Sequence, residues 1–495
     1  MITKILLVLT YICFTLTIAA QTKSEKRGAC MSNLNRADFE ALHDGLSWFY
    51  DWRNVPSFVG VSASDEYNIE YCPMIWGTAW NPDVIRKYVI NHPNCKYLLT
   101  FNEPNFEEQA NLTPQQASVY WHEIKALANE LNLKLISPAL NYSYWDEWNT
   151  PQKWLDAFFE LIPIEDVDGI AIHCYMGYSD ALINFVKEYI NYYKKPVWLT
   201  EFCSWDDRHG TPPSDMKKNQ REYMIDTFNF LETEPNVKRY AWFMAKTSEN
   251  NAVPHFPWMQ LLNGNNGDLT EIGKIFNNMS SYDNNFYHDT KSRIQANHYL
   301  QMKGIYLEET TDIDGIIDVY DFSAGDFLEY NIDISVAGVY HLFVRHFNTF
   351  DTQISILIDG ETKTQILLPA TPNNKWATHK FSIDLLEGKQ KIRLFCQTGS
   401  AVKINWLNIS TNENAETVDN DLIEYYSPFI YPNPVSDKFY TSCEVKKIDI
   451  YSLHGQLLLS ENRREVNIDT FSKGLYLGLL TDKNGEKNRV KIVKL

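Results

Sequence analysis

The chain contains 495 residues, which is too long for one ordinary globular core and predicts about three domains. Its formal net charge of −18 argues against a nucleic acid, an anionic membrane or a polyanionic substrate, because like charges repel. A hydrophobic share of 44% allows buried cores, and an aromatic share of 14% offers flat faces that suit a neutral sugar.

The first twenty residues have the pattern of a secretory signal peptide. Lys4 precedes an apolar run from Ile5 to Ala19, and we expect cleavage near Ala20. A charged stretch at 23–27 follows directly, and no later apolar run is long enough to span a membrane. The sequence therefore predicts export without an integral membrane segment.

The mature chain keeps seven cysteines, none of them in a CxxC pair. Export permits disulfides, and Cys30 has Cys72 and Cys95 as possible partners. An odd number leaves at least one free thiol. Because the spacing matches no metal-binding pattern, we predict neither a metal site nor thiol chemistry at these cysteines.

Residues 31–282 alternate β-like runs with helical stretches. The β-like runs are Leu46–Trp52, Glu70–Trp76, Tyr97–Asn102, Leu133–Leu140, Gly169–Tyr175, Pro196–Phe202, Arg239–Met244 and a short Gln260–Asn263. Between them lie periodic segments such as Pro114–Leu131, which Thr113 precedes as a helix start. Alternating strands and helices predict an α/β fold with parallel strands, and eight strands in about 250 residues predict a (β/α)8 TIM barrel.

The rest of the chain changes to an all-β pattern. After a linker at 283–290, residues 291–412 carry alternating strands separated by turns such as Asp359-Gly360, which predicts a β-sandwich. A polar, acidic stretch follows, and residues 428–495 form a small C-terminal β domain with short strands. The predicted order is therefore a signal peptide (1–20), a barrel, a sandwich and a small β domain.

Two glutamates end two strand-like runs in the predicted barrel. Glu103 follows Tyr97–Asn102, and Glu201 lies near the end of Pro196–Phe202. Loops at the C-terminal ends of barrel strands build the active site, and a lone buried carboxylate is costly. Hydrolysis of a glycosidic bond needs two carboxyl groups, one on each side of the bond. We therefore predict a glycoside hydrolase, with Asn102 placed to donate to the sugar 2-hydroxyl.

Further candidates lie near the same strand ends. His173 and Tyr175 point the same way by strand alternation, so they face either the substrate or the core. Trp48, Tyr50 and Trp52 also share a face, and Trp52 is nearest the mouth of the barrel. Other aromatic residues at or just past the strand ends are candidates for stacking on sugar rings, and core packing is the alternative for each of them. These residues are Trp76, Tyr144, Trp145, Trp205 and Trp242.

Phe101–Asn105 and Trp198–Phe202 resemble the two catalytic motifs of the clan A glycosidases. Together with Trp48–Trp52, Pro73–Gly77, Ser137–Ala139 and His173–Tyr175, they are similar to glycoside hydrolase family 128 over nearly all of 45–280. Members of that family are β-1,3-glucanases on a (β/α)8 barrel. The resemblance implies that Glu103 is the acid/base, that Glu201 is the nucleophile, and that the anomeric configuration is retained.

The chain departs from the family pattern in two places. The clan A glutamates belong to the fourth and seventh strands, whereas the runs above put them on the third and sixth, which predicts a missed strand near Phe58–Val61. The family commonly has a Trp between the His and Tyr of its fifth run, and this chain has Cys174 there. We therefore expect one sugar contact to differ.

Residues 294–410 resemble a family 6 carbohydrate-binding module. Trp376 matches one of the two aromatics that grip a sugar in that family, and Tyr320 is the nearest candidate for the other. Lys403 replaces the usual Asn ligand, and Asn297 replaces an acidic residue that often binds structural calcium. The resemblance thus leaves both sugar and calcium binding open, with a spacer domain as the alternative.

Residues 428–495 look like the C-terminal sorting domain of the type IX secretion system. The matching parts include Tyr431–Pro434, Lys473–Tyr476 and the terminal Lys491–Leu495. The resemblance implies contact with the type IX secretion machinery, passage through the outer membrane, and a secreted or cell-surface location.

These features lead to one prediction and two alternatives. We predict a secreted, retaining endo-β-1,3-glucanase that cleaves neutral β-glucan such as laminarin or curdlan by double displacement and needs no cofactor. One alternative is another clan A activity, such as a β-1,4-glucanase or a mannanase, because the catalytic pair would be the same. The other is a non-catalytic glycan-binding protein, against which the presence of both glutamates argues.

Overall fold

The computed structural model describes residues 21–205, 213–247, 256–371, 375–416, 430–431, 433–441, 445–481 and 487–495. The predicted signal peptide and Cys443 lie outside the described residues. The chain forms two compact units, Met1–Gln301 with Tyr306–Asp318, and Met302–Ile305 with Val319–Leu495.

The described part of the first unit alternates strands and helices. Its parallel strands are β1 (Arg27–Cys30), β2 (Trp48–Tyr50), β3 (Glu70–Tyr71), β4 (Tyr97–Asn102), β5 (Lys134–Ala139), β6 (Ile170–Cys174), β7 (Val197–Phe202) and β8 (Val237–Phe243). Its helices are α1 (Arg36–Leu42), α2 (Phe58–Tyr67), α3 (Pro82–Asn91), α4 (Pro114–Leu131), α5 (Pro151–Phe159), α6 (Ser179–Tyr193), α7 (Pro213–Thr233), α8 (Phe256–Met259) and α9 (Glu271–Asn278). Short 3₁₀ turns lie at Asp146–Trp148 and Ile164–Asp166.

Six of these strands form one parallel sheet in the order β3-β2-β1-β8-β7-β6, and β4 pairs with β5. Single parallel bridges join Met74 to Leu99, between the β3 and β4 regions. Others join Ile136 to Gly169 and Leu140 to Ile172, between the β5 and β6 regions. The predicted α/β class with parallel strands is therefore confirmed.

The structure corrects two of the predicted strands. The missed early strand is β1, whereas Phe58–Val61 lies in helix α2, which Ser57 caps by accepting a hydrogen bond from the backbone N–H of Gly60. Strand β1 is short and shows no alternation, so its sequence gives little signal. Gly28 is required there because a Cβ would come within 2.4 Å of the Trp48 ring. Glu103 and Glu201 therefore belong to the fourth and seventh strands.

The predicted eighth strand, Gln260–Asn263, is not a parallel strand. Its last two residues form β9 (Leu262–Asn263), which pairs antiparallel with β10 (Asp268–Leu269) in a small hairpin. The segment was misassigned because a short apolar run does not distinguish a hairpin from a sheet strand. The start of α4 was predicted correctly, since Thr113 and Gln116 form a capping box.

A buried arginine fills the space among the first residues of the strands. The guanidinium of Arg239 lies 4.6–5.4 Å from the ring centroids of Tyr97, Trp48 and Trp198. It also pairs with Glu70 at 2.5 Å. These contacts fill the end of the strand assembly opposite Glu103 and Glu201.

The region after helix α9 is built mainly from antiparallel strands. The strands are β11 (Ile294–Gln295), β12 (Gln301–Lys303), β13 (Tyr306–Glu309), β14 (Ile317–Phe322), β15 (Phe327–Ile334), β16 (Gly338–Phe347), β17 (Thr352–Ile358), β18 (Glu361–Leu368), β19 (Ala377–Leu385), β20 (Gly388–Cys396) and β21 (Val402–Ser410). Within the second unit they form two sheets, β14-β21-β16-β19 and β15-β20-β17-β18. The predicted all-β character of this region is confirmed.

The C-terminal residues form two further antiparallel sheets around their own apolar core. The strands are β22 (Ile430–Tyr431), β23 (Lys438–Thr441), β24 (Lys447–Tyr451), β25 (Leu457–Glu461), β26 (Glu465–Asn467), β27 (Gly474–Thr481) and β28 (Lys487–Lys494). The sheet orders are β22-β23-β26 and β25-β24-β27-β28. Ile448, Ile450 and Leu480 are among the fully buried side chains of this core.

The described cysteines are all buried, and none of them forms a disulfide. The structure therefore contains no disulfide between Cys30 and either of its possible partners, Cys72 and Cys95. Burial raises the pKa of the Cys30 and Cys72 thiols well above the usual value, which keeps them protonated and unreactive.

Candidate active site

A cavity of about 630 Å³ opens where strands β2, β4, β6, β7 and β8 end. Both predicted catalytic glutamates line it, Glu103 just after β4 and Glu201 within β7. The strand register places His173 beside Glu201, because the two residues are direct cross-strand partners on β6 and β7.

The backbone at the site is held in an uncommon conformation. Glu103 has φ +40° and Trp52 has φ +61°, both in the left-handed region that non-glycine residues seldom adopt. The N–H of Glu103 donates to the carbonyl oxygen of Ala139 at 2.8 Å. Asn105 pins the same loop by donating to the carbonyl oxygens of Asn141 and Trp148. These bonds hold Glu103 in a conformation that costs free energy and that is common at functional sites.

Three neutral donors hold the Glu201 carboxylate. Tyr50 Oη donates to Oε1 at 3.0 Å, and Trp52 Nε1 donates to the same oxygen at 2.8 Å. Tyr175 Oη donates to Oε2 at 2.5 Å. Burial and the charge of Glu201 raise the pKa values of both tyrosines well above 10, so their hydroxyls stay protonated and remain donors.

His173 connects the two glutamates. Its Nδ1 lies 2.9 Å from Glu103 Oε1 and 3.5 Å from Glu201 Oε2, and the imidazole is fully buried. One carboxylate oxygen of Glu103 and one of Glu201 lie within 4.8 Å of each other.

The electrostatics of the site raise the pKa values of Glu201 and His173. Burial raises the pKa of Glu201, His173 lowers it, and the nearby Glu103 raises it, with a net increase. For His173, burial lowers the pKa, but the two carboxylates outweigh burial and raise it. The nearby Glu103 and the burial of Glu201 thus act together on the pKa of Glu201, and His173 opposes them.

The structure brings most of the predicted site residues together. Those that line the cavity are Asn102, Glu103, Tyr175, Glu201, Trp52, Trp76 and Trp205. His173 does not line the cavity, but it contacts both glutamates from beneath. Trp52 also donates its indole N–H to Glu201, a contact that the sequence did not indicate.

Trp242 does not join this group, contrary to the prediction. It is fully buried, its Nε1 donates to the carbonyl oxygen of Met259, and its ring lies 5.3 Å from that of Phe202. Strand alternation is the reason, because Ala241 and Phe243 face the interior and Trp242 faces the helices between them. Phe243 lines the cavity in its place.

Several residues at the cavity escaped the sequence analysis. Tyr50 was considered but not selected, because alternation does not distinguish a core tyrosine from one that contacts a carboxylate. The others that line the cavity are Phe106, Glu108, Gln109, Asn141, Tyr142 and Phe243. Tyr144, a candidate stacking residue from the sequence, lines it as well. Most of these lie in loops after β4 and β5, where periodicity gives no signal. Cys174, the departure from the family pattern, is buried and does not line the cavity.

The candidate sugar-binding residues of the β-sheet region lie on different strands. Trp376 is half-buried just before β19, and its ring lies 6.0 Å from that of Phe347. Lys403 Nζ lies 5.9 Å from the same Phe347 ring. Tyr320 is half-buried on β14. Asn297, the residue in question for calcium, donates its amide to the carbonyl oxygen of Asn278.

The part of the chain that the structure describes has one three-residue group with metal-ligand geometry, formed by Glu103, His173 and Glu201. Hydrogen-bond donors already surround the Glu201 oxygens, and His173 Nδ1 is directed at the carboxylates. Such an arrangement suits a hydrogen-bonded acid–base pair. The sequence prediction that the site uses no metal stays a prediction.

Residues 28–276 match the family model described as the glycosyl hydrolase catalytic core, and this stretch is half of the chain. The chain belongs to this family. The predicted enzyme class, a glycoside hydrolase, is thereby confirmed. No curated protein matches the chain.

This glycosyl hydrolase is similar to several solved structures. An endo-β-1,3-glucanase of glycoside hydrolase family 128 (subgroup II) from Pseudomonas viridiflava is 30% identical, covering 52% of this chain and 98% of that one, with a TM-score of 0.45. A second one, from Sorangium cellulosum, is 33% identical over 51% and 97% of the two chains, with a TM-score of 0.45. The identity over nearly the whole of both relatives confirms the predicted resemblance to family 128.

A third similar structure is that of an enzyme with a different mode of action. It is a curdlan-specific exo-β-1,3-glucanase of family 128 (subgroup III) from Blastomyces gilchristii, in complex with glucose. It is 25% identical, covers 52% of this chain and 100% of that one, and has a TM-score of 0.41. Endo action and exo action thus both occur among the proteins that this glycosyl hydrolase resembles.

The hydrolase carries two further family matches. Residues 295–411 match the carbohydrate-binding module of family 6, and residues 429–494 match the secretion system C-terminal sorting domain. A sorting domain marks export and cell-surface attachment, so the predicted extracellular location is confirmed. No helix among the described residues combines the length and the apolar character that crossing a bilayer requires.

Proposed function

We propose that this glycoside hydrolase cleaves β-1,3-glucan of the laminarin or curdlan type by endo action, with retention of configuration. One observation carries the mechanism: carboxylate oxygens of Glu103 and Glu201 lie within 4.8 Å of each other at the cavity. Retaining enzymes hold their two carboxyl groups about 5–5.5 Å apart, whereas inverting enzymes need about 6.5–9.5 Å to admit a water molecule.

The proposed fold is a closed (β/α)8 barrel. The six-stranded sheet ends at β3 and β6, and parallel bridges connect these ends to β4 and β5. Closure would explain why Glu103 and Glu201, three strands apart, face one cavity. It also agrees with the rule that such sites lie at the C-terminal ends of the strands.

The proposed reaction has two steps. Glu201 attacks the anomeric carbon while Glu103 protonates the departing glycosidic oxygen, which gives a glycosyl ester of Glu201. Glu103 then deprotonates a water molecule, which attacks the ester and releases the sugar with its original configuration. Tyr50, Trp52 and Tyr175 orient the Glu201 carboxylate through the hydrogen bonds described above. No cofactor is needed, because Glu103 makes both proton transfers and Glu201 supplies the nucleophile.

The proposed substrate rests on relatives and on the cavity. The two relatives at 30% and 33% identity are both described as endo-β-1,3-glucanases. Trp52, Trp76 and Trp205 offer aromatic faces beside the glutamates, which suits a neutral sugar chain. The net charge of −18 is compatible with a neutral glucan and unfavourable for an anionic one.

The test compares laminarin, curdlan, cellulose and mannan side by side. We expect new reducing ends from laminarin and curdlan, a rapid fall in chain length from internal cuts, and β-anomers as the first products by NMR. Cleavage of cellulose or mannan alone would favour another clan A activity. Binding without new reducing ends would favour a non-catalytic glycan-binding protein, and α-anomers would contradict retention.

Replacing His173 with asparagine is expected to move the acidic limb of the kcat/KM profile to higher pH. The positive charge of His173 lowers the pKa of Glu201, so its loss raises that pKa further. Glu201 must be ionised to attack. As the pH is lowered, its ionised fraction therefore begins to fall at a higher pH in the variant than in the wild type. The measurement is kcat/KM against pH for the variant, the wild type and His122→Asn, an exposed histidine on α4. A lower kcat/KM with an unmoved limb would show that His173 only supports the fold.

We propose that the family 6 module and the sorting domain serve the same extracellular role. The module would hold the enzyme on insoluble glucan, with Trp376 and Tyr320 as the candidate contacts, and the sorting domain would engage the type IX secretion machinery. Trp376→Ala is expected to weaken retention on curdlan particles severalfold while leaving the rate on soluble laminarin unchanged. Unchanged retention would make the module a spacer.

A further inference from the structure

The loop between β4 and α4 folds back onto the end of its own strand. The N–H of Ala110 donates to the carbonyl oxygen of Asn102 at 3.1 Å, and that of Leu112 donates to the carbonyl oxygen of Pro104 at 2.8 Å. The N–H of Gln109 donates within the loop to the carbonyl oxygen of Phe106. These backbone bonds bring Gln109, seven positions along the chain, beside Asn102.

The side chains of these two residues are joined at the cavity. Asn102 Nδ2 donates to Gln109 Oε1 at 3.1 Å, and both residues line the cavity. Asn102 is 3% exposed, and its Oδ1 has no hydrogen-bond partner among the described residues. A buried acceptor without a partner is unfavourable, so this carboxamide is arranged to accept a hydrogen bond from a ligand hydroxyl, and not to donate one as the sequence predicted.

A primary carboxamide carries its NH₂ donor and its carbonyl acceptor on opposite sides. Because Gln109 Oε1 accepts from the Asn102 NH₂ group, the Asn102 carbonyl oxygen points the other way. We propose that Gln109 is a positioning residue that sets the orientation of the Asn102 carboxamide toward the sugar. Gln109 acts through Asn102, and it contributes most in the transition state, where contacts to the sugar 2-hydroxyl strengthen. This inference rests on the proposed function.

The test is a double-mutant cycle on laminari-oligosaccharides. We expect Gln109→Met, which keeps the size but removes the acceptor, to lower kcat about five- to tenfold with little change in KM, as loss of one hydrogen bond of about 1 kcal/mol implies. Gln109→Glu keeps the acceptor and should retain more activity than Gln109→Met. In the Asn102→Ala background, Gln109→Met should change kcat by less than about twofold. Glu107→Gln, exposed on the same loop and outside the cavity lining, is the matched control.

A second measurement serves if Asn102→Ala is too slow to assay. An aryl laminaribioside whose reacting sugar lacks the 2-hydroxyl removes the partner from the substrate side, and the effect of Gln109→Met should then disappear. Equal effects of Gln109→Met in both backgrounds, or on both substrates, would overturn the inference, as would an unaffected Gln109→Met enzyme. A wild-type chain without activity on any β-glucan would instead refute the proposed function.

Discussion

Replacing Glu201 with alanine is expected to lower kcat on β-1,3-glucan by about four orders of magnitude or more, because the reaction loses its nucleophile. Azide should partly restore the rate on an activated aryl glycoside, since the small anion can occupy the space of the missing carboxylate. In a retaining enzyme the restored product is the α-glycosyl azide. The measurement is the rate with and without azide, together with the anomeric configuration of the product by NMR.

The complementary variant separates the two roles. Glu103→Ala should lose activity on glucan but keep much of it on a substrate whose leaving group needs no proton, and azide should then give the β-glycosyl azide. Glu108→Ala is the matched control, because Glu108 lines the same cavity but is exposed and forms no hydrogen bond with either glutamate in the described structure. A Glu201→Ala enzyme that kept more than about 1% of the wild-type kcat would remove Glu201 from the mechanism, and exchanged azide products would reverse the two roles.

Replacing Arg27 with methionine is expected to lower the free energy of unfolding of the first unit by about 3–5 kcal/mol. Arg27 is 2% exposed and donates to the carbonyl oxygens of Phe276, Met279 and Ser280. It also pairs with Glu232 at 3.0 Å. The substitution leaves the three carbonyl groups buried without the guanidinium, and it leaves the Glu232 carboxylate buried without its positive partner, with only the neutral donors Ser24 and Tyr240 remaining.

The expected shift in the unfolding midpoint is roughly 10 °C at a few degrees per kcal/mol. Tryptophan fluorescence is a suitable signal, because twelve of the fourteen tryptophans lie between residues 48 and 258. Arg36→Met is the matched control: Arg36 pairs with Glu66 on the surface, where both side chains are exposed, and the midpoint should hardly move. Equal midpoints for both variants would show that the buried network around Arg27 contributes nothing particular to stability.

The first strand shows why part of the fold escaped prediction. Arg27–Cys30 is too short for a periodic signal, and its role depends on partners far away in sequence, namely Trp48 on β2 and Tyr240 on β8. The same holds for Trp242 and Phe243, which are adjacent in sequence but face opposite sides of β8. An apolar strand buried on both faces gives no indication of which face lines the cavity.

The sequence by itself determined the enzyme class and the three family matches, and it predicted the two glutamates, because a carboxylate at the end of an apolar strand is a costly feature that marks chemistry locally. Only the tertiary structure decided that these carboxylates lie within 4.8 Å of each other, that Tyr50, Trp52 and Tyr175 bind Glu201, and that Gln109 reaches Asn102. Those facts depend on strand register and loop path, which long-range packing sets and which no local pattern of residues encodes.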